Sequence, residues 1–166
     1  FETDFFAFDT LENYQMHNVY IPYVNMNNFF IDQFGTFDYK HANSILVEKI
    51  LDLSKNSYEH KMYIHVSETH FEIIVIRNQK LELYNSFEYK TPEDFLYYVL
   101  FTAEQLHLNP ESFPLELLGT IDEEHPLFKI AYQYIRNVSL LEVDATNNQF
   151  SEKELREHFI LLHSWE

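Results

Sequence analysis

The stretch from Lys61 to Leu108 leaves this chain few folds to choose from, because it reads as three consecutive strands followed by one amphipathic helix. Met62, Ile64 and Val66 alternate with Tyr63, His65 and Ser67, and Phe71 to Ile76 is apolar on both faces. Leu81, Leu83, Phe87 and Tyr89 then alternate with Glu82, Tyr84, Ser86 and Glu88. This pattern predicts that only the middle strand is buried on both sides. The helix start is signed three times, by Thr91 as N-cap, Pro92 at the first helical position and Asp94 three residues after the cap.

Beyond this stretch, Asn109-Pro110 is expected to stop the helix, and Pro114 opens a short strand that runs to Gly119. A helix separates that strand from the meander, so it should lie parallel to its neighbour. Asp122 and Pro126 introduce a second helix with Leu127, Ile130, Ala131, Tyr134 and Ile135 on one face, and Val138 to Val143 reads as another strand. Ser151 and Glu154 form a capping box for a last helix, with Phe150 and Leu155 spaced as a hydrophobic staple. Ahead of the meander, residues 3–8 read as an extended edge and Asn18 to Tyr23 as a short buried strand with Pro22 at the sheet margin. Asn25 to Asn28 offers caps for a helix carrying Phe29, Phe30, Ile31 and Phe34, ended by Gly35. Thr36 to His41 reads as a strand, and Ser44 as the cap of a helix with Ile45, Leu46, Lys49, Ile50 and Leu53 in one stripe. Polar Lys55 to Lys61 is the candidate boundary.

Composition removes whole classes of function. The formal net charge of −16 argues against a nucleic-acid backbone or an anionic membrane surface as partner, and is compatible with a basic or metal partner. The absence of cysteine excludes disulfides, thiolate catalysis and cysteine-ligated zinc, and agrees with an expected cytoplasmic location. No apolar run approaches the ~20 residues of a membrane span, and no signal sequence is expected. The chain begins at Phe1 in what reads as the middle of a structured region, so a fragment of a longer protein is expected. Only Gly35 and Gly119 occur, against roughly 12 in an average chain of this length. Phosphate-cradling loops need clustered glycines, so neither a P-loop nor a dinucleotide fingerprint is present.

Residues 61–163 read in order as β-β-β-α-β-α-β-α, which resembles the ribonuclease-H-like unit found doubled in the actin, hexokinase and Hsp70 superfamily. Three strings sharpen this: VYIPYVNMNNFFIDQFGTFDYKH, FEIIVIRNQKLELYNSFEYKTPEDFLYYVLFTAEQLHLNPE and FKIAYQYIRN. Together they resemble the bacterial domain-of-unknown-function family 3822, uncharacterised proteins with an actin-like ATPase fold, from about Thr3 to the last helix. The resemblance implies an α/β chain in which residues 1–57 are the C-terminal remainder of a first lobe and residues 58–166 form a second, complete lobe. In organisation it is also similar to the actin-like scaffold proteins of type IV pili and type II secretion systems.

In nucleotide-binding members of that superfamily, the turn between the first two strands carries an acidic residue, glycines and a hydroxyl around the phosphates. Here the turn runs from His65 to His70, with Ser67 and Thr69 as hydroxyls but no glycine, and with Glu68 placed to repel a triphosphate. After the fourth strand, Gly119 and Thr120 are what remains of the adenosine-contacting glycine pair. Ser67, Thr69, Gly119 and Thr120 are therefore the cofactor-binding candidates should nucleotide, as ATP with Mg, bind; an ordinary hairpin is the preferred reading of the first turn, and a strand end that needs one tight turn explains Gly119 equally well. A ribonuclease-H-type nuclease would need a carboxylate on the first strand, and residues 62–67 hold none, while Asp144 and Glu72 have no evident partner. His60, His65 and His70 recur every five residues, a spacing that reverses the face of a strand, so no metal site and no catalytic residue is assigned.

Among the 29 aromatic residues (16 Phe, 12 Tyr, 1 Trp), Phe29, Phe71, Phe95 and Phe159 are expected in the core. Adjacent Tyr97 and Tyr98 cannot both face inward, and Tyr132 lies off its helix's apolar stripe. The sequence thus points to a non-catalytic actin-like scaffold, a pseudo-ATPase without cofactor, binding a protein partner that includes its own copy among the candidates. The alternatives are an ATP-binding actin-like ATPase whose missing first lobe carries most phosphate contacts and, more remotely, a nuclease.

Overall fold

The computed structural model describes residues 6–36, 40–145 and 149–165. Its chain forms two compact units, Phe1–Lys49 and Ile50–Glu166. In the first, strand β1 (Ala7–Leu11) pairs antiparallel with β2 (Met16–Tyr20), with Phe8 opposite Val19. The hairpin turns Asp9 and Leu11 inward and leaves Phe8 and Val19 exposed. Buried Asp9 accepts hydrogen bonds from the Tyr20 hydroxyl (3.0 Å), the Ser44 hydroxyl (2.5 Å) and the His41 backbone N–H (2.7 Å). Such donors are what a carboxylate requires to leave water.

Helix α1 (Val24–Phe34) starts from Tyr23 rather than from the asparagines, and Gly35, at φ +79°, ends it. It buries none of its residues, and Phe29 is 58% exposed instead of in the core. Apolar periodicity identifies a face but not whether anything covers it. Helix α2 (Ala42–Leu53) begins two residues before Ser44, whose side chain serves Asp9 instead of a cap; Leu46 and Ile50 are buried and Leu53 is exposed. The strand predicted over Thr36 to His41 falls largely on residues 37–39, outside the described residues.

The second unit is built on a five-stranded sheet of β3 (Lys61–Val66), β4 (His70–Arg77), β5 (Lys80–Glu88), β6 (Pro114–Gly119) and β7 (Asn137–Leu140), in the order β5-β4-β3-β6-β7. The three meander strands are antiparallel, while β3, β6 and β7 run parallel. Helices α3 (Pro92–Gln105) and α4 (Pro126–Tyr134) make the two crossovers and cover one face, over a core of Met62, Ile64, Phe71, Ile73, Phe95 and Leu115. The element order is the predicted one. The last helix, however, breaks at His158 into α5 (Glu152–Glu157) and α6 (Phe159–Leu162).

Position in the sheet corrects the prediction that only the middle meander strand is buried on both sides. β3 is the central strand, so Tyr63 and His65 are as enclosed as Ile64, and the Tyr63 hydroxyl lies 3.1 Å from the Ser54 hydroxyl. Similarly, α3 ends before Asn109-Pro110. Its C-terminus is a Schellman turn in which Leu108 N–H donates to Ala103 O (2.8 Å) and His107 N–H to Glu104 O (3.1 Å), with His107 at φ +56°. Burial of Leu108 holds that non-glycine residue in the left-handed region. On α4, Leu127 and Ala131 face the core while Tyr134 is exposed, contrary to its place on the predicted stripe.

The start of α3 is the capping box expected, with Asp94 N–H donating to the Thr91 hydroxyl at 3.2 Å and the Asp94 carboxylate accepting from Thr91 N–H at 3.1 Å. Removing the cap with Thr91→Ala should cost about 1 kcal/mol in urea denaturation. Backbone N–H groups of Lys90 and Thr91 hold the Asp94 carboxyl below its ordinary value of 3.8. The folded pKa is the lower one, so this contribution is full above the unfolded value and disappears as pH falls through the folded value. The urea cost of Asp94→Asn should therefore be clear at pH 7 and shrink below pH 3.8.

Candidate functional site

β3 and β6 lie side by side with Val66 opposite Gly119, so the residues that follow them meet at one edge of the sheet. The carboxyl ends of parallel strands are where α/β sheets take ligands. Thr120 N–H donates to Val66 O at 2.8 Å, which sets Thr120 beside Ser67. Three of the four candidates, Ser67, Gly119 and Thr120, are thereby brought together. Thr69 is not among them: it sits on the other limb of the β3–β4 turn, where its carbonyl accepts from Tyr89 N–H at 3.2 Å.

Three backbone donors of this edge are engaged within the protein. Ser67 N–H donates to His70 O (2.9 Å), Thr120 N–H to Val66 O, and Ile121 N–H to Gly119 O (2.8 Å). A phosphate cradle needs several such groups converging on an anion. The Tyr89 hydroxyl closes over the turn, donating to Ser67 O at 2.9 Å, and burial together with the charge of Glu68 raises its pKa. Acidic side chains follow at Asp122, Glu123 and Glu124. Two lysines reach this loop, and each is paired there: Lys129 with Glu124 at 2.6 Å, and Lys153 with Asp122 at 2.9 Å, which holds the Asp122 carboxyl below its usual range.

On the sheet face opposite the core of α3 and α4, sequence reasoning missed a polar cluster. Glu72, 4% exposed, binds His65 Nδ1 at 2.9 Å through one carboxylate oxygen and His70 Nε2 at 3.1 Å through the other. His65 and His70, which the five-residue spacing set apart, meet on one carboxylate, and Glu72 has two partners where the sequence offered none. The signal lay in the hairpin: once β3 pairs with β4, His65 stands opposite Glu72, and His70 shares Glu72's side of its own strand. The neighbouring Tyr84 hydroxyl is shielded from solvent with no hydrogen-bond partner among the described residues, and burial, reinforced by Glu72, raises its pKa. Among the described residues no group of three or more His, Asp or Glu is arranged to hold a metal ion.

The tyrosines divide as expected. Tyr98 stacks on Phe87 with ring centroids 4.5 Å apart, while Tyr97 is 62% exposed and Tyr132 64%. No helix among the described residues is long and apolar enough to cross a membrane.

The fold of this chain has a counterpart of known structure. A crystal structure of a Bacteroides thetaiotaomicron VPI-5482 protein, described as having an actin-like ATPase fold and unknown function, superposes with a TM-score of 0.76 at 24% identity. The match covers 84% of this chain and 55% of that one, so the chain spans about half the length of this relative. An AlfA filament bound to AMPPNP matches at a TM-score of 0.47 and 12% identity, over 68% of this chain and 41% of that one. No curated protein matches. The profile of DUF3822, a family of proteins of unknown function, matches residues 1–138, and with that match, on an actin-like ATPase fold, the chain belongs to DUF3822.

Proposed function

We propose that this chain is part of a non-catalytic actin-like scaffold, acting in the cytoplasm without a cofactor and binding another protein through the surface of its lobes. In this reading residues 58–166 are a whole second lobe and residues 1–57 the remainder of a first. The observation that carries it is the edge formed by Ser67, Gly119 and Thr120, where three backbone N–H groups are already hydrogen-bonded inside the protein and the nearby side chains are acidic. A triphosphate would meet repulsion there and find few donors. The aromatic side chains left exposed, among them Tyr97 and Tyr132, are of the kind enriched at protein interfaces.

The rival reading, an ATP-binding protein, draws on the same edge, because Ser67 and Thr120 do meet where a ligand of an α/β sheet would lie. Nucleotide titration separates the two. A scaffold shows no nucleotide-dependent change in stability, whereas a bound nucleotide adds to it.

A further inference from the structure

We propose that the outer edge of β7 is a docking site for an extended basic peptide segment of a partner protein, which adds to the sheet as a further strand. This deepens the protein-binding reading above and rests on it. β7 is the last strand in the sheet order and, among the described residues, pairs only with β6 on its inner side. Leu141 N–H donates to Leu117 O at 2.8 Å across that inner pairing. Because backbone groups alternate along a strand, the N–H and C=O groups of Val138 and Leu140 point the other way, off the edge of the sheet.

An open edge is a template for a further strand, and here it lies along a groove of about 780 Å³. α4 forms one wall with Phe128 and Tyr132, whose rings stack 6.1 Å apart, and α5 forms the other with Arg156. Val138 and Leu140 along the floor supply apolar contact for alternate side chains of a strand.

Charge selects the occupant. Both cations of the groove are already paired, Lys129 with Glu124 at 2.6 Å and Arg156 with Glu152 at 3.5 Å. Glu123 and Glu142 line the same groove and have no ion-pair partner among the described residues, leaving it net negative. A strand carrying lysine or arginine on one side and aliphatic residues on the other satisfies the edge amides, the aromatic wall and the two glutamates together. An acidic strand satisfies only the first two.

The test uses the whole chain and a short fluorescein-labelled peptide of alternating lysine and valine, with a glutamate–valine peptide as control, both read by anisotropy at physiological salt. The basic peptide should bind at least about tenfold more tightly than the acidic one and slow hydrogen exchange at Val138 and Leu140. Glu123→Lys with Glu142→Lys should lower affinity by about tenfold or more while leaving the melting temperature close to that of the parent. Val138→Pro, which removes an amide pointing away from β6, should abolish binding. Equal binding of both peptides, binding indifferent to these substitutions, or no binding at millimolar peptide would overturn the proposal. So would a dimer of the chain that Val138→Pro dissociates, because the edge would then belong to a second copy. Nucleotide-dependent stabilisation with peptide binding intact would instead defeat the scaffold reading and leave the docking site standing.

Discussion

Gly119→Ala is expected to destabilise the sheet unit by about 3 kcal/mol or more, and to do so through β3 rather than β6. A Cβ at residue 119 would lie 2.2 Å from Val66 O and 2.9 Å from Val66 N, both backbone atoms of the central strand. No rotamer change relieves a clash with backbone. The cost combines ~1–2 kcal/mol for a left-handed φ without glycine and ~1–3 kcal/mol for overpacking. Separation of the strands would also break the Thr120 to Val66 hydrogen bond, so Ser67 and Thr120 would part. Gly35→Ala is the control: its φ is also positive, at +79°, but nothing lies within 4 Å, so only the first cost of ~1–2 kcal/mol applies. A urea midpoint that falls no further for Gly119→Ala than for Gly35→Ala would show that β3 and β6 do not approach as described.

Phe71→Ala should be comparably severe for a different reason. Phe71 is 0% exposed, and its ring centroid lies 4.9 Å from that of Phe95, 5.7 Å from Phe87, 5.9 Å from Tyr89 and 6.4 Å from Tyr98. It joins β5 and the residue that follows it to α3, so its loss leaves a cavity that no single neighbour can fill. Phenylalanine truncations of this kind cost ~3–5 kcal/mol, which for a chain of this size lowers the melting temperature by roughly 6–20 °C. Tyr97→Ala, on the same helix but 62% exposed, should change stability by less than about 0.5 kcal/mol. Similar losses for the two variants would mean that α3 is rotated relative to the sheet.

The element order of the sheet unit was legible because its signals are local. Alternation marks strands, a Thr-Pro-x-Asp start marks α3, and a Ser-x-x-Glu start marks α5, and each of these is read within a few residues of where it acts. Effects that arise from pairing were not legible at that range. Tyr63 and His65 looked half-polar until β6 closed the second side of β3, and Glu72 looked isolated until the hairpin set it against His65. Asn109-Pro110 looked like the stop of α3 because only the burial of Leu108 beneath the turn makes the positive φ of His107 tolerable. Ser44 had the chemistry of an N-cap, and a buried carboxylate 35 residues earlier in the chain claimed it.

The site followed the same division. Sequence could place Ser67 and Thr69 on one turn and Gly119 and Thr120 after another strand, because turns are punctuated locally. Which of these four meet depends on the parallel register of β3 with β6, and whether their amides are available depends on hydrogen bonds made across that register. The docking edge at β7 was hidden for the same reason. Strand order is a property of the assembled sheet, and only Tyr132, off the stripe of its helix, hinted at that surface.

The central claim is that this actin-like fold is kept for its surface and not for a nucleotide. Its most direct test is a thermal-shift titration with ATP and Mg²⁺ up to millimolar concentration, on the 166-residue chain and, beside it, on the protein at the full length of its reading frame. The account predicts no shift in either. A ligand at 100 times its dissociation constant would add ~2.7 kcal/mol, which at this size is a rise of roughly 5–11 °C. A rise of that order in either protein would contradict the account and put a nucleotide at the edge where Ser67 and Thr120 meet, or elsewhere on the protein.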